Sequence, residues 1–550
     1  MVKKINNTKD EYKYFIKLGI LNAKNKNFIE AKKNFRKAME LNNEYPDSYI
    51  NLSNLYAAEN EKKLALDLLY QFFVKFKLDL KIVENLFKLS LYFNYYKYVE
   101  KLIKILNIRK LDIASKHHFI FFVYAKYLEH KNNFSESIKM YEKSINCYKH
   151  FNQAYFSILQ LLESTNNIKK FKKYLNEGQL NFKSNEEKLK FKYYESLLLN
   201  RLKKFKESNQ IIVEHNLKKN LYNNTEIYLK ILDIQAKNEE GLENYKLAFE
   251  LITNRNKYIL NLEKNNKYNR DTLIETLSKY KSFFIKKNIN KINKNNDYYD
   301  DKNLAFLVGF PRSGTTLLDT ILRSHSKINV LEEKPILLNL RHKYFEDRNN
   351  SLNSLLRISN YEKNQIRNEY FKLIEKKLSK NKKVIIDKLP LSLIEIGFIK
   401  TIFPNSKIIL VLRHPCDVVL SCYFSYFEIN DAMINFLDWD DTIDFYNRVF
   451  DFFEFYQKET NLISFHIKYE NLVTNFFSEV SSLLNFLGLD YENKIDNFHI
   501  TALKREKIST PSYKQVINPI YTSSIGKWKK YIETRNPERK LEKWIKKFNY

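Results

Sequence analysis

Between Leu304 and His325 the sequence reads LAFLVGFPRSGTTLLDTILRSH, and the central PRSGTT is equipped to hold an anion. Gly309 and Gly314 stand at the glycine places of a Walker loop, G-x-x-x-x-G-K-[ST], and Thr316 stands at its hydroxyl place. The lysine place holds Thr315. Lysine in that loop answers the crowded negative charge of a triphosphate. Here Arg312 supplies a forked cation inside the loop, and Ser313, Thr315 and Thr316 supply hydroxyls. That set suits a phosphate carrying one transferable, singly charged oxyanion such as sulfate. The bland alternative is a loop whose glycine only permits a turn.

A second anion-holding pair lies downstream in KIILVLRHPCDVVLSCYFSYF, residues 407–427. A strand over KIILVL delivers Arg413 at its C-terminal end, where open α/β sheets bind ligands. Ser421 follows eight residues later, early in an expected helix. An arginine and a serine so placed can grip a second phosphate away from the first, unless Arg413 pairs with Asp417 instead. VIID, 384–387, ends on Asp387 like a Walker B strand and is followed by Lys388.

The two sites in this order resemble, over residues 304–531, the sulfotransferase family that uses 3′-phosphoadenosine 5′-phosphosulfate. The nearest pattern is the bacterial type with an N-terminal tetratricopeptide array, whose catalytic half is similar to tyrosylprotein sulfotransferases. The resemblance implies that Arg312, Ser313, Gly314, Thr315 and Thr316 hold the 5′-phosphosulfate, and that Arg413 and Ser421 hold the 3′-phosphate. SHSKINVLEEKP matches the segment that carries the general base, with Glu333 at the family's position and Glu332 beside it. A carboxylate suits that role because the acceptor must lose a proton as the sulfuryl group moves. IIDKLP contributes Lys388, implied near the bridging oxygen, where it and Arg312 steady developing charge.

Tyr469 in IKYENLV matches a tyrosine that contacts the nucleotide. STPSYKQVINPIYTSSIGKWKKY, 509–531, matches a closing segment in which Ser512 reaches the sulfonate and Lys527 the 3′-phosphate. No metal is implied. Two positions depart from the tyrosylprotein enzymes. Pro335 stands where they carry an arginine for the peptide substrate, and Ser425 where they add an arginine at the 3′-phosphate. Both weigh against a peptide tyrosine as acceptor and leave the cofactor reading intact.

These residues need strands and helices to position them. LAFLVGF, VIID, KIILVL and LISFHI are short β-rich runs separated by helical stretches, which predicts an α/β domain with a largely parallel sheet over 304–550. The chain before residue 285 reads as helix after helix, and it repeats. LGILNAKNKNFIEAKKNFRKAMEL (18–41) aligns without a gap on LSNLYAAENEKKLALDLLYQFFVK (52–75), so that Leu18 matches Leu52, Ala31 matches Ala65 and Phe35 matches Leu69, each 34 apart. That is the tetratricopeptide period. A third copy lies at 124–145, where Phe134, Ser137 and Tyr141 mimic Phe28, Ala31 and Phe35, and a weaker one lies near 200–212. The expected organisation is multidomain: an all-α tetratricopeptide-repeat solenoid over 1–285, a polar linker over 286–303, and a P-loop-like sulfotransferase domain beyond. The array offers a surface for a protein or peptide partner.

Composition bounds the alternatives. Hydrophobic residues are 44% and aromatics 15% of 550, enough for large cores. The formal charge of +30 accompanies many lysines and only 8 glycines and 9 prolines, a global skew that reads as solvated helix faces rather than a nucleic-acid surface. Cys147, Cys416 and Cys422 are too few and too irregular for a disulfide framework or a zinc site, and suit a reducing, cytoplasmic setting. The start, MVKKINNTKDEYKY, shows no apolar signal region, and no run approaches a membrane span. Two competing readings stay open: a P-loop kinase or NTPase using Asp387 for magnesium, and a repeat scaffold whose second half binds a nucleotide without turnover. The acceptor (sugar, peptide, lipid or small metabolite) is left open.

Overall fold

The computed structural model describes residues 8–76, 79–106, 118–263, 268–293, 301–346, 352–375, 378–379, 382–460, 462–500 and 520–550. By compactness the chain divides into Met1–Tyr194 and Glu195–Tyr550, ahead of the junction expected near 286–303. Paired helices follow one another: α1 (Thr8–Lys24) with α2 (Phe28–Leu41), α3 (Pro46–Ala58) with α4 (Lys62–Phe76), α5 (Leu80–Tyr92) with α6 (Lys97–Leu106). Then come α7 (His118–His130) with α8 (Phe134–Cys147), α9 (Asn152–Ser164) with α10 (Ile168–Asn181), and α11 (Asn185–Arg201) with α12 (Phe205–Glu214). After the short α13 (Leu217–Asn220), α14 (Thr225–Gly241) pairs with α15 (Tyr245–Glu263), followed by α16 (Asp271–Phe283) and α17 (Lys286–Asn293).

The hairpins repeat because their turns do. Lys26, Asn60, Asn94, Asn132, Asn166, Lys203 and Glu243 each sit between paired helices with φ of 49° to 66°. Asparagine tolerates that left-handed conformation better than most side chains, which explains its frequency there. Asn27, Asn133 and Asn167 then cap the following helix, each accepting from the N–H three residues on. Small residues mark where two helices of a pair touch. Ser137 Oγ donates to the Ala125 carbonyl at 2.9 Å, Ser208 Oγ to that of Ser196 at 2.8 Å, and Ser53 Oγ to that of Ala65 at 2.6 Å. Each bond spans 12 residues. The array is therefore of the tetratricopeptide type, and it includes hairpins at 80–106, 152–181 and 225–263 whose sequence alone shows no clear repeat.

The stretch expected as a polar linker opens instead with α17, whose Ile289 and Ile292 are buried. They belong to the same apolar core as Phe249 of α15, Leu277 of α16 and Phe306 of the sheet. An eight-residue helix with two inward isoleucines needs only one buried stripe, which a count of polar residues conceals.

The sheet is wholly parallel, in the order β2-β3-β1-β4-β5. Its strands are β1 (Leu304–Gly309), β2 (Ile328–Glu332), β3 (Val384–Lys388), β4 (Lys407–Leu412) and β5 (Phe465–Lys468). Three of them match the runs read from sequence within a residue or two. β5 starts three residues later than the run LISFHI, and β2, the segment INVLE, was not among the expected strands. The helices of this region are α18 (Thr315–Arg323), α19 (Ile336–Arg341), α20 (Asn360–Glu375), α21 (Ile396–Ile402), α22 (Pro415–Phe424), α23 (Trp439–Thr460), α24 (Tyr469–Thr474), α25 (Phe476–Leu487) and α26 (Glu538–Lys547).

Alternation along the strands feeds two cores. Ala305, Leu307, Ile409 and Val411 face Leu318 and Ile321 of α18 and Leu483 of α25. Leu304, Phe306, Val308, Ile408 and Leu410 face Ile366 of α20, Ile399 of α21, Val418 of α22 and Phe450 of α23. Helices on both faces are what a parallel sheet requires, and all six residues of β1 are buried. Among the described residues no helix is long and apolar enough to cross a membrane.

Candidate active site

The loop after β1 is shaped for close approach. Arg312 has φ 70° and Gly314 φ 102°, so two residues turn left-handed just before α18 begins at Thr315. Successive N–H groups in such a turn, with a helix N-terminus behind them, favour an anion. A side chain on Gly314 would place its Cβ 2.7 Å from the Tyr469 ring, and one on Gly309 would come within 2.7 Å of the Val411 carbonyl. Ser313, Thr315 and Thr316 are all buried.

The loop after β4 meets this one. Arg413 Nη1 donates to the Arg312 carbonyl at 3.2 Å, and Nη2 donates to the Ser524 carbonyl at 2.6 Å. Its guanidinium lies 4.9 Å from the centre of the Tyr469 ring. Asp417 approaches Arg413 only to 4.0 Å, because its two oxygens accept the backbone N–H groups of Gly526, at 2.7 Å, and Trp528, at 3.0 Å. The Arg413–Asp417 pairing considered from sequence is thus a distant one, and Asp417 instead fastens the closing segment. Arg413 Nε is buried without a hydrogen-bond partner among the described residues. From the other side, Arg312 Nε donates to Ser421 Oγ at 3.0 Å. Ser421 is the seventh residue of α22, further along than the early position expected. Burial pushes the Arg312 guanidinium below its ordinary pKa, and neighbouring Arg413 pushes the same way.

At the ends of β2 and β3 sit the two charges assigned to catalysis. Lys388 is fully buried, and its Nζ donates to Glu333 Oε1 at 2.7 Å. Glu333, with φ 42°, anchors its own N–H to the Lys388 carbonyl at 2.8 Å. Glu332 pairs in register with Lys388 as the last residue of β2. Glu333 acts electrostatically on Arg312, so the two clusters are neighbours. Asp387, one residue before Lys388, accepts from the buried Tyr370 hydroxyl at 2.7 Å.

One of the residues implied by resemblance is not gathered here. Lys527 forms an ion pair with Glu240 of α14, and Ser512 lies outside the described residues.

Residues 305–493 match the sulfotransferase family. A curated relative from Aquifex aeolicus (strain VF5), itself named an uncharacterized protein, is 26% identical over 249 residues, covering 44% of this chain and 32% of the relative. The chain thus spans about a third of that relative's length. Among solved structures, the sulfotransferase domain from the Synechococcus PCC 7002 olefin synthase is 18% identical with a TM-score of 0.34, covering 46% of this chain and 98% of that one. The sulfotransferase domain from the curacin biosynthetic pathway is 20% identical with a TM-score of 0.33, covering 45% and 97%. A Pseudomonas aeruginosa pilF structure is 19% identical with a TM-score of 0.32, covering 40% and 97%.

Around the matched segment stand residues that sequence reading missed. Arg255 of α15, fully buried, donates from Nη1 to Asp233 Oδ1 at 2.9 Å and to the Phe424 carbonyl at 3.3 Å. Its Nη2 reaches the carbonyls of Tyr423, at 3.4 Å, and Ser425, at 3.3 Å. It therefore caps the C-terminal end of α22, the helix that carries Ser421, where a cation complements the helix dipole. Asp319 of α18 lies 3.7 Å from Lys388 Nζ. Neither had a local signal: an arginine among lysines in a repeat helix, and an aspartate four residues before Arg323, both read as surface charge.

Proposed function

We propose that this chain transfers the sulfuryl group of 3′-phosphoadenosine 5′-phosphosulfate to a hydroxyl or amine acceptor, with residues 304–550 as the catalytic module. One observation carries the reading. Arg413 reaches back to the loop of Arg312 while Arg312 reaches across to Ser421, so two stretches about a hundred residues apart, each read as anion-holding, are in direct contact. The buried Nε of Arg413, without a hydrogen-bond partner among the described residues, supports an anionic ligand there, since a buried donor left without a partner is costly. The Tyr469 ring packed on Gly314 supports a wall for a nucleotide.

The bound donor supplies an electrophilic sulfur on a phosphate leaving group. In this reading the backbone and hydroxyls of Ser313, Gly314, Thr315 and Thr316, with Arg312, hold the 5′ end. Arg413, Ser421 and Tyr469 hold the nucleoside end, joined by Lys527 once it exchanges Glu240 for phosphate, and Ser512 is read as reaching the sulfonate. Glu333 takes the acceptor's proton as the acceptor–sulfur bond forms and the bond from sulfur to the bridging oxygen breaks. Lys388 and Arg312 offset the electron pair left on that oxygen. The helical hairpins are read as a surface for a protein partner or for the acceptor.

A kinase or NTPase fits less well. Asp387, the carboxylate such an enzyme would turn to magnesium, is 5% exposed and already accepts the Tyr370 hydroxyl. Calorimetric titration separates the two: adenosine 3′,5′-bisphosphate should bind at least tenfold more tightly than ATP with Mg²⁺. Equal or reversed affinities would sink the reading. With labelled donor and a panel of acceptors, Glu333→Ala should lower transfer by about 10²- to 10⁴-fold, the usual worth of a general base.

A further inference from the structure

We infer that Asp319 is a positioning residue, the second counter-ion of Lys388, which keeps that ammonium charged while Glu333 turns to the acceptor. The inference rests on the proposed roles of Glu333 as base and Lys388 as leaving-group cation. Lys388 and Asp319 are both fully buried. The lysine lies between two carboxylates of different character. Glu333, with its side chain 29% exposed, holds Nζ at 2.7 Å. Asp319 Oδ2 waits at 3.7 Å and has no hydrogen-bond partner among the described residues.

Asp319 is held in that place. Arg323 donates to its Oδ1 from Nε at 3.0 Å and approaches it from Nη2 to 2.9 Å. Arg323 Nη1 in turn donates to the Val330 carbonyl of β2 at 2.9 Å. One oxygen of Asp319 thus serves the arginine, and the other is left for the lysine. Among the described residues, charged groups near this cluster include Arg312 from the loop after β1, Glu332, in register with Lys388 at the end of β2, and Lys382, which feels the charges of Arg323, Lys494 and Glu492.

The physical need is plain. A carboxylate clamped to an ammonium is a weak base, because the cation stabilises its ionised form. Once Glu333 has taken the acceptor's proton it is neutral, and a buried lysine with no other anion would be left uncompensated at heavy cost. A second, fixed carboxylate meets both demands. It competes for the ammonium before proton transfer and holds it afterwards, when the bridging oxygen needs a cation. No bond to Asp319 forms or breaks.

The test is Asp319→Asn in the full chain, with labelled 3′-phosphoadenosine 5′-phosphosulfate and transfer to acceptor or to water followed against pH. Removing a negative charge lets both Glu333 and Lys388 lose protons at lower pH. Both limbs of the profile should therefore move to the acid side by about one pH unit. The plateau should fall tenfold or more, with the donor KM within twofold of wild type. Asp319→Glu should restore the limbs. A purely structural role would lower the plateau without moving either limb, and that result overturns the inference. Should Asp319→Asn fail to fold with Arg323 unpaired, Asp319→Asn combined with Arg323→Gln removes both charges. Because Asp319 lies between the two cations, its loss should dominate at Lys388, and the limbs should move the same way by less. Unmoved limbs in that variant also overturn it. A wild-type protein that transfers to nothing and prefers ATP to the bisphosphate defeats the functional reading itself. A wild-type enzyme that transfers, with unmoved limbs in the variants, defeats only the role of Asp319.

Discussion

Arg413 serves two carbonyls, those of Arg312 and Ser524, and still keeps Nε for something else. Its replacement by alanine should weaken binding of adenosine 3′,5′-bisphosphate by about 10- to 100-fold, the worth of a charge-assisted hydrogen bond. Adenosine 5′-phosphosulfate, which lacks the 3′-phosphate, should bind almost unchanged. Equal losses for both ligands, compared by titration, would take the 3′-phosphate away from Arg413. Lys388→Met is a harsher change, because Glu333 and Asp319 lose their shared cation. It should cost about 3–5 kcal/mol in urea denaturation as well as abolish transfer. Arg413 was legible in the sequence because it directly follows a strand. Asp319 was not, since its four-residue spacing to Arg323 reads as an ordinary helix-surface pair.

At the scale of elements, the site depends on how closely β1 and β4 run. Gly309 faces the Val411 carbonyl of the neighbouring strand so tightly that a Cβ would sit 2.7 Å from it. Backbone cannot swing aside as a side chain can. Gly309→Ala should therefore cost about 1–3 kcal/mol, read from denaturant midpoints, and should weaken bisphosphate binding as the two loops part. The start of α22 carries a titrating cap. His414 Nδ1 accepts from the Cys416 N–H at 3.3 Å, and its ring stacks on Trp528 with centroids 5.3 Å apart. Burial lowers its pKa below the usual 6.5, against the pull of Asp417 and Glu470. The unfolded chain then binds this proton more readily, so the contribution is whole above about pH 6.5 and is lost as pH falls through the folded value. His414→Asn, which keeps a capping side chain, should shrink the stability lost between pH 7.5 and 5.5. An unchanged loss in chemical denaturation would assign that titration elsewhere, for example to His466, whose pKa desolvation also lowers.

At the scale of the whole molecule, the division falls at Tyr194, inside the helical array rather than after it. Helices α14 to α17 share a core with the sheet, and Arg255 ties them to α22. Each compact unit carries its own buried core, as in α2 and α3, where Ala31, Phe35, Leu52 and Leu55 cluster. Calorimetry should then resolve two transitions. Adenosine 3′,5′-bisphosphate at a hundred times its Kd should stabilise the Glu195–Tyr550 unit by about 2.7 kcal/mol and leave the other midpoint in place. A ligand shift in both transitions, or in neither, would contradict that assignment.

The helix period, the anion loop and the end-of-strand arginine were determined by the sequence itself, because each depends on residues a few positions apart. A 34-residue spacing of small and aromatic residues specifies hairpins, and a glycine between a buried strand and a helix specifies a tight turn with a helix N-terminus behind it. What only the tertiary structure decided is which of these local devices meet. The order β2-β3-β1-β4-β5 sets Lys388 between Glu333 and Asp319 and brings Arg413 onto the Arg312 loop. The same packing gives Asp417 to the closing segment and Lys527 to Glu240. Charged side chains have long reach and many eligible partners, so their pairing is settled by the strands and helices that carry them and not by spacing along the chain.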